Sequence, residues 1–243
     1  MGKILITGSA DGLGLLAARA LIDQGHQVIL HARNEKRAKE ALQQVPGAET
    51  CLVGDLRDRE ETKHVAVQAN ALGAHQAIIH NAGVYNAPSE DILAVNVIAP
   101  YILTCLIQKP ERLIYISSGL HLQGHLKSLQ SADNPISYSD SKLLLLMLSN
   151  AVARKWPNVY ANTVDPGWVP TKMGGSSAPD NLQKGYETQV WLATSDDEKA
   201  KVSGHYFFHK KEAPFNPVGN DDLKEEEFLN QCAKITNIQF LVG

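Results

Sequence analysis

An apolar segment at residues 3–7 runs directly into a turn that contains Gly8, Gly12 and Gly14. The segment is short and mostly aliphatic, which is typical of a parallel strand buried on both faces. Apolar residues at helical spacing follow the turn over residues 13–24. A strand, a glycine-rich turn and a helix in this order predict the first half of a βαβ unit that binds a dinucleotide.

The glycine turn has the chemistry of a pyrophosphate site. Glycine tolerates a positive φ and has no Cβ to hold a ligand away. The free N–H groups at a helix start and the positive end of the helix dipole favour an anion. The spacing is wider than the common G-x-G-x-x-G, so an ordinary glycine turn is the alternative. The predicted contacts are Gly8, Ser9, Asp11, Gly12, Leu13 and Gly14.

The choice of cofactor depends on Arg33, which follows a second predicted strand at residues 26–31. In a βαβ unit this point lies beside the adenosine ribose. A guanidinium suits a 2′-phosphate, so the sequence favours NADP(H) over NAD(H). A solvated surface charge is the alternative for Arg33, and Asp11 argues against a phosphate because it would repel one. Arg37 and Lys39 are interpreted as a solvated helix face.

Tyr138 and Lys142 lie four residues apart in a predicted helix over residues 137–156, so they share one face. An ammonium near a phenol lowers the phenol pKa from its usual value of about 10, which suits a general acid or base. Ser117 and Ser118 follow a predicted strand at residues 112–117, where open α/β sheets bind ligands. The alternatives are an uncoupled surface Tyr and Lys, and a plain Ser/Gly turn.

With these motifs the chain resembles the short-chain dehydrogenase/reductase (SDR) family. The resemblance covers nearly the whole length and includes the T-G-x-x-x-G-x-G turn at residues 7–14, N-A-G at residues 81–83 and Y-x-x-x-K at residues 138–142. A proline–glycine turn at residues 166–167 also matches. The twenty-residue gap between Ser118 and Tyr138 is longer than in many members and is similar to the retinol-dehydrogenase-like branch.

The resemblance implies a role for each matching residue. Tyr138 would be the general acid in reduction and the base in oxidation, and Lys142 would lower its pKa and hold the nicotinamide ribose. Ser118 would bind the substrate oxygen, and Asn96 would support a proton-relay water. The further cofactor contacts implied are Asp55, Leu56, Asn81, Ala82, Gly83, Pro166, Gly167, Val169 and Thr171. Asp11 departs from the pattern, because many NADP-using members have a basic residue there.

The whole chain is expected to form one domain over residues 1–243. Its 44% hydrophobic content suffices for one core, and strand-like and helix-like segments alternate throughout. The predicted fold is a doubly wound α/β Rossmann fold, with a mostly seven-stranded parallel sheet and helices on both faces. The C-terminal segment, residues 209–243, is expected to be an irregular connection followed by a helix packed on the domain.

Charge and cysteine content restrict the partners. There are 23 basic and 26 acidic residues and no dense basic run, which argues against nucleic acid. Three scattered cysteines suggest free thiols, and with no room for a leader before the first strand they predict a cytoplasmic protein. No apolar run reaches the roughly 20 residues that span a bilayer. The leucine-rich run at residues 143–148 is core or a subunit interface, so a homo-oligomer is left open. The sequence contains no Cys/His cluster of the zinc type, so no metal is predicted.

The predicted reaction is NADP(H)-dependent interconversion of an aldehyde or ketone and an alcohol. The substrate is expected to be a small, apolar molecule, because the candidate pocket residues are mainly apolar: Tyr85, Leu120, His121, Trp168 and Met173. The inserted stretch at residues 120–134 is expected to shape this pocket. A regulator that binds NADP(H) without catalysis is the alternative function, and other chemistry on the same scaffold also stays open.

Overall fold

The protein is built around one twisted sheet, seen in a computed structural model that describes residues 1–131 and 133–241. Seven parallel strands lie in the order β3-β2-β1-β4-β5-β6-β7. Their bounds are β1 Lys3–Ile6, β2 Gln27–Ala32, β3 Thr50–Val53, β4 Ala77–His80, β5 Arg112–Ile116, β6 Tyr160–Asp165 and β7 Tyr206–Phe208. An eighth strand, β8 Lys211–Glu212, pairs antiparallel with β7. The sheet therefore has one short strand more than predicted, in a stretch expected to be irregular.

Helices cover both faces of the sheet, which confirms the predicted doubly wound α/β fold of one domain. The α-helices are α1 Gly12–Asp23, α2 Glu35–Gln44, α3 Arg59–Ala71, α4 Ser89–Leu93, α5 Ala99–Leu106, α6 Tyr138–Lys155, α7 Leu182–Thr194 and α8 Asp222–Thr236. A π-helical turn, Ala94–Ile98, joins α4 to α5, and 3-10 turns lie at Gly119–Gln123 and Pro217–Asn220.

Each strand contributes to two hydrophobic cores, because successive side chains point to opposite faces. Ile4 and Ile6 of β1 pack with α1, α2 and α7, whereas Leu5 packs on the other face with α3, α5, α6 and α8. This two-sided burial explains why the strands read as continuous apolar runs.

Helix α6 is fixed at its start by a capping box. The Ser137 hydroxyl accepts from the Asp140 N–H, and the Asp140 carboxylate accepts from the Ser137 N–H. The leucine-rich run at residues 143–148 is at most 2% exposed, so it belongs to the core of this chain. Of the two interpretations of that run, core packing is therefore the correct one.

The continuous helical stretch Ser89–Leu106 is 18 residues long and apolar enough to cross a membrane by length and composition. Of this stretch, 61% is buried inside the protein, against α3 and α6. A helix that packs against the sheet in the core of a folded domain has the same length, composition and burial.

The C-terminal segment packs on the same face as α6. Phe228, Leu229 and Cys232 of α8 enter the core, and the Tyr101 hydroxyl donates to the Ile238 carbonyl oxygen at 2.8 Å. The insertion is tied to α8, because the Leu129 N–H donates to the side-chain oxygen of Gln231. Within these two predicted segments, residues 132, 242 and 243 lie outside the described residues.

Candidate active site

The glycine turn is held by two side chains that lie around it, those of His31 and Asn81. Neutral His31 accepts the Gly8 N–H at Nδ1 (3.0 Å) and donates from Nε2 to the Gly54 carbonyl oxygen (3.0 Å). Burial lowers the His31 pKa to about 4, which keeps the ring neutral. The Asn81 amide donates to the Thr7 and Gly8 carbonyl oxygens. His31 is a loop-holding residue that the sequence interpretation missed.

The start of α1 fits a pyrophosphate. Asp11 occupies the N-cap position, but its side chain makes no cap hydrogen bond and so leaves the first-turn N–H groups to other partners. Gly12 has a φ of +55°, and a Cβ there would meet no atom within 4 Å. Gly14 is packed instead, since its Cβ would lie 2.4 Å from the Asn81 amide nitrogen. Leu13 is half-buried at the mouth of this cradle.

Three of the predicted cofactor contacts are turned into the protein. Ser9 is 0% exposed, and its hydroxyl donates to the Ile6 carbonyl oxygen and accepts from the His31 N–H. Leu56 and Val169 are buried among apolar side chains. The side chains of these three residues are thus mostly inside the protein, and their roles as cofactor contacts stay predictions.

The adenosine end of the crevice carries more charge than the sequence suggested. Arg33 is exposed beyond β2. The hydrogen bonds from Arg57 are the main cause of the lowered Asp55 pKa, and the charge of Arg33 adds to it. The Arg37 guanidinium donates to Asp11 Oδ2 at 2.6 Å. The interpretation of Arg37 as a solvated helix face is therefore wrong, because this side chain reaches across to the glycine turn.

The carboxyl ends of β4, β5 and β6 bring the remaining predicted residues together. Ser118 follows β5, and its side chain lies beside that of Tyr138, the first residue of α6. Lys142 Nζ lies 5.4 Å from the centre of the Tyr138 ring. Gly83 is packed against the same group, because its Cβ would lie 3.4 Å from Lys142 Nζ. Ala82 contacts Thr7, whose hydroxyl accepts the Ala82 N–H.

Lys142 is not among the groups that lower the Tyr138 pKa in this structure, contrary to the expectation from the sequence. Burial raises the Tyr138 pKa to about 12, and the hydrogen bond with Ser118 offsets this only in part. Lys142 Nζ instead donates to the Ile116 carbonyl oxygen at 2.7 Å. Burial lowers the Lys142 pKa to about 8, and Asp165 partly opposes that shift.

Asn96 lies in the π-helical turn, fully buried beside the crevice. Its amide group donates to the Val84 carbonyl oxygen (2.9 Å) and the Ser141 hydroxyl (3.0 Å), and its oxygen accepts the Val84 N–H (2.8 Å). A π-turn inside an α-helix often marks a functional site. Asn96 thus ties the loop after β4 to the first turn of α6.

A further polar cluster lies behind the serine, and the sequence interpretation missed its centre. Asp165 ends β6, and its charge raises the pKa values of Tyr138 and Lys142. Its Oδ1 accepts the Gly167 N–H at 2.9 Å. His121 was predicted to line the pocket, but it is 0% exposed and bonds to the Ser118 carbonyl oxygen. An aspartate in the strand-ending D-P-G was the available signal.

The loop after β6 is fixed by hydrogen bonds of its own. Gly167 has a φ of +79°, and the Trp168 N–H beside it donates to the Asp180 carboxylate at 2.6 Å. The Thr171 hydroxyl accepts the Gly174 N–H. Pro166 and Thr171 are half-buried along this loop, which borders the crevice from the β6 side.

Apolar side chains form the rim of the crevice on three loops. Tyr85 follows β4 and meets the Tyr138 ring edge to face, with centroids 4.8 Å apart. Leu120 follows β5, and Trp168 and Met173 follow β6. These four side chains are between 36% and 58% exposed. In residues 1–131 and 133–241, no group of three His, Cys, Asp or Glu is arranged to hold a metal ion.

The fold and this group of side chains define a Rossmann-fold oxidoreductase. The family model for the short chain dehydrogenase matches residues 2–182, and the chain belongs to this family. It is 42% identical to the short-chain dehydrogenase chyC of Penicillium rubens, with 98% of this chain and 99% of that protein covered. It is 28% identical to retinol dehydrogenase 14 of Mus musculus, over 90% and 81% of the two chains. The predicted resemblance to the retinol-dehydrogenase-like branch is thereby confirmed.

The fold also matches a solved structure, that of a blue fluorescent protein from a metagenomic library in complex with NADPH. The TM-score is 0.71 at 21% identity, with 84% of this chain and 94% of that chain covered.

Proposed function

We propose that this short-chain dehydrogenase is an NADP(H)-dependent enzyme that interconverts an aldehyde or ketone and an alcohol, with Tyr138 as the general acid/base. One observation carries the proposal. A phenol, a serine hydroxyl and a buried ammonium meet at the carboxyl ends of β5 and β6, where Ser118 lies beside Tyr138 and Lys142 Nζ lies 5.4 Å from the centre of the Tyr138 ring.

The nicotinamide, when bound, supplies or accepts the hydride at the carbonyl carbon. In reduction, the Ser118 hydroxyl donates a hydrogen bond to the carbonyl oxygen and holds it beside Tyr138 Oη. Tyr138 then gives its proton to that oxygen as the alcohol forms, and in oxidation it takes the proton back. A Tyr138 pKa of about 12 keeps the phenol protonated at neutral pH, as an acid requires.

Lys142 and Asn96 support Tyr138, the proton donor. The Lys142 ammonium lies within reach of the phenol and would stabilise the phenolate left after proton transfer. Lys142 Nζ, which donates to the Ile116 carbonyl oxygen here, would also hold a ribose hydroxyl of the cofactor. Asn96 holds Ser141 and Val84 in place and would keep a relay water near Lys142.

NADP(H) is proposed over NAD(H) because the adenosine end holds the two guanidinium groups of Arg33 and Arg37. The metagenomic protein of the same fold is described with NADPH, which fits this choice. Asp11 would oppose a phosphate, but cations already surround its carboxylate.

The proposed substrate is an apolar carbonyl compound or alcohol. Its support is the rim of Tyr85, Leu120, Trp168 and Met173, whose exposed apolar surface would be covered by such a molecule. We also propose a cytoplasmic location, because the three cysteines are free thiols.

A substrate panel tests this function. Purified protein is mixed with NADPH or NADH and with aromatic, aliphatic and small charged carbonyl compounds, and loss of the reduced cofactor is followed. We expect turnover of apolar carbonyls, with NADPH preferred. Turnover of small charged compounds alone would reject the substrate class. Tight cofactor binding with no turnover of any compound would favour the regulator that binds NADP(H) without catalysis.

A further inference from the structure

A cavity of about 440 Å³ lies at the β8 edge of the sheet, between the start of α7 and the hairpin of β7 and β8. Its volume is within the range of small-molecule sites. Lys184, Glu187 and Thr188 of α7 line one side, and residues 208–214 line the other. These residues are distinct from those assigned to catalysis, to the cofactor and to the rim of the crevice. The cavity is therefore a separate candidate for a ligand site.

The hairpin turn beside the cavity has a strained backbone. Its two residues, His209 and Lys210, have φ angles of +49° and +60°. A two-residue turn of this kind is normally made by Asn-Gly or Asp-Gly. Other residues are disfavoured in this conformation, and such strain is often kept where the side chains serve a ligand. The Lys210 N–H donates to the Thr188 hydroxyl at 3.0 Å, which fixes the turn against α7.

Three polar side chains at the cavity lack partners. His209 Nε2 is buried and has no hydrogen-bond partner in the part of the chain that the structure describes. The His209 ring stacks on Phe208, with centroids 3.8 Å apart, so its orientation is fixed. Among the same described residues, the ammonium groups of Lys184 and Lys211 form no ion pair. A buried polar atom without a partner is costly, which indicates that a ligand supplies the missing acceptor.

The two carboxylates at the cavity are already bonded to other groups. Glu187 accepts from the Gln183 amide at 2.5 Å, and it lies 3.8 Å from Lys210 Nζ. Glu212 Oε1 lies 3.0 Å from His205 Nδ1. These contacts leave the other two lysines of the cavity to an added anion.

The start of α7 adds to the attraction for an anion. The first turn of a helix carries partial positive charge and favours acidic side chains. In α7 this turn contains Lys184 and no acidic residue. Phe208, Ala213 and Pro214 give the cavity an apolar lining. A ligand that fits both properties has a carboxylate at one end and an apolar body.

We propose that this cavity binds a small organic acid with an apolar body, whose carboxylate is held by Lys184 and Lys211. His209, with a proton on Nε2, donates to the same carboxylate. The acid is a second ligand and not the carbonyl compound of the proposed reaction, because the side chains that hold it lie outside the crevice.

Calorimetric titrations of the whole chain test the site with benzoate and octanoate, and with benzamide and octanamide as uncharged probes. Both acids should bind the wild type, and the amides at least about tenfold more weakly. Lys184→Gln and Lys211→Gln should each weaken the acids about tenfold, as loss of a charge-assisted hydrogen bond implies, and leave the amides unchanged. Lys199→Gln, at an exposed lysine outside the cavity, is the matched control and should change none of the affinities.

A double replacement, His209→Asn with Lys210→Gly, separates ligand binding from folding. It installs the preferred turn sequence and removes two side chains from the cavity. The unfolding temperature of the ligand-free protein should rise, because the strain is relieved, whereas the affinity for both acids should fall about tenfold. This variant decides the matter even if the lysine variants fold poorly. An acid affinity equal to that of the wild type would show that the turn serves the hairpin alone.

The site would be overturned if neither acid bound the wild type, if acids and amides bound equally, or if Lys184→Gln and Lys211→Gln kept the acid affinity. An acid whose affinity falls in Tyr85→Ala and not in the lysine variants lies in the crevice, which would also overturn the site. A wild type that reduces carbonyl compounds with NADPH but binds neither acid rejects this cavity alone and leaves the proposed function intact.

Discussion

The imidazole of His121 lies directly behind Ser118, with Nδ1 2.7 Å from the Ser118 carbonyl oxygen. Its Nε2 accepts the Asn216 N–H at 3.2 Å, so only the neutral ring with its proton on Nδ1 satisfies both partners. Burial lowers the His121 pKa, which favours that form. The ring also packs on Tyr206, with centroids 4.5 Å apart. His121 therefore joins the serine loop to the C-terminal segment.

Replacing His121 by Phe keeps the ring packing on Tyr206 and removes both hydrogen bonds. We expect kcat to fall about tenfold to hundredfold, because a small displacement of Ser118 disturbs the substrate oxygen. The unfolding free energy should fall by about 1–3 kcal/mol, since the half-buried Asn216 N–H loses its acceptor. His125→Phe is the control. His125 is exposed, and the hydrogen bond that it donates to Asp140 comes from its backbone N–H, which the substitution keeps. An unchanged kcat would contradict this role of His121 as a positioning residue.

Asp165 is expected to set the pH range of the reaction. Its negative charge raises the pKa of Tyr138, so Asp165→Asn should lower that pKa. Reduction needs the protonated phenol and fails as the pH rises through this pKa, so the loss of rate should move to lower pH in Asp165→Asn. The amide oxygen can still accept the Gly167 N–H that now bonds Oδ1.

The pH profile of kcat for carbonyl reduction measures this shift. Asp165→Glu keeps the charge and should keep the profile near that of the wild type. A profile that is the same in Asp165→Asn and the wild type would show that this carboxylate does not act on Tyr138.

Gly12 is expected to matter for cofactor binding more than for folding. A Cβ there meets no atom within 4 Å, so Gly12→Ala should cost only the strain of a φ of +55°, about 1–2 kcal/mol. The same methyl group would project into the pyrophosphate cradle, so the affinity for NADPH should fall at least about tenfold.

Gly73→Ala is a matched control for this substitution. Gly73 has a φ of +85° and equally open surroundings. It lies between α3 and β4, at the amino ends of the strands, whereas the crevice lies at their carboxyl ends. Both variants should lose similar thermal stability, whereas only Gly12→Ala should lose NADPH affinity in a titration. Unchanged affinity in Gly12→Ala would place the pyrophosphate elsewhere.

Local patterns were enough to predict most of the fold. The predicted strands at residues 3–7, 26–31 and 112–117 correspond to β1, β2 and β5, because a strand buried on both faces leaves a continuous signal in the sequence. The apolar run at residues 143–148 likewise marked α6. Strand β8 escaped prediction because it has two residues and both are exposed.

The parts of the site that were missed depend on contacts between distant residues. Arg37 looks like a surface charge until α2 is packed beside the glycine turn. His31 looks like an ordinary strand residue until Gly8 and Gly54 lie on either side of its ring. The pKa of Tyr138 was predicted to be low from its spacing to Lys142, but spacing does not reveal burial, nor that Lys142 Nζ bonds the Ile116 carbonyl oxygen.

The most direct test of the central claim is the turnover of Tyr138→Phe on any carbonyl substrate that the wild type reduces with NADPH. Loss of the proton donor should lower kcat by about a hundredfold to ten-thousandfold. The affinity for NADPH, measured by titration of the same preparation, should change little, so that the loss belongs to proton transfer. A Tyr138→Phe variant that binds NADPH and reduces the substrate at the wild-type rate would contradict the assignment of Tyr138 as the general acid/base.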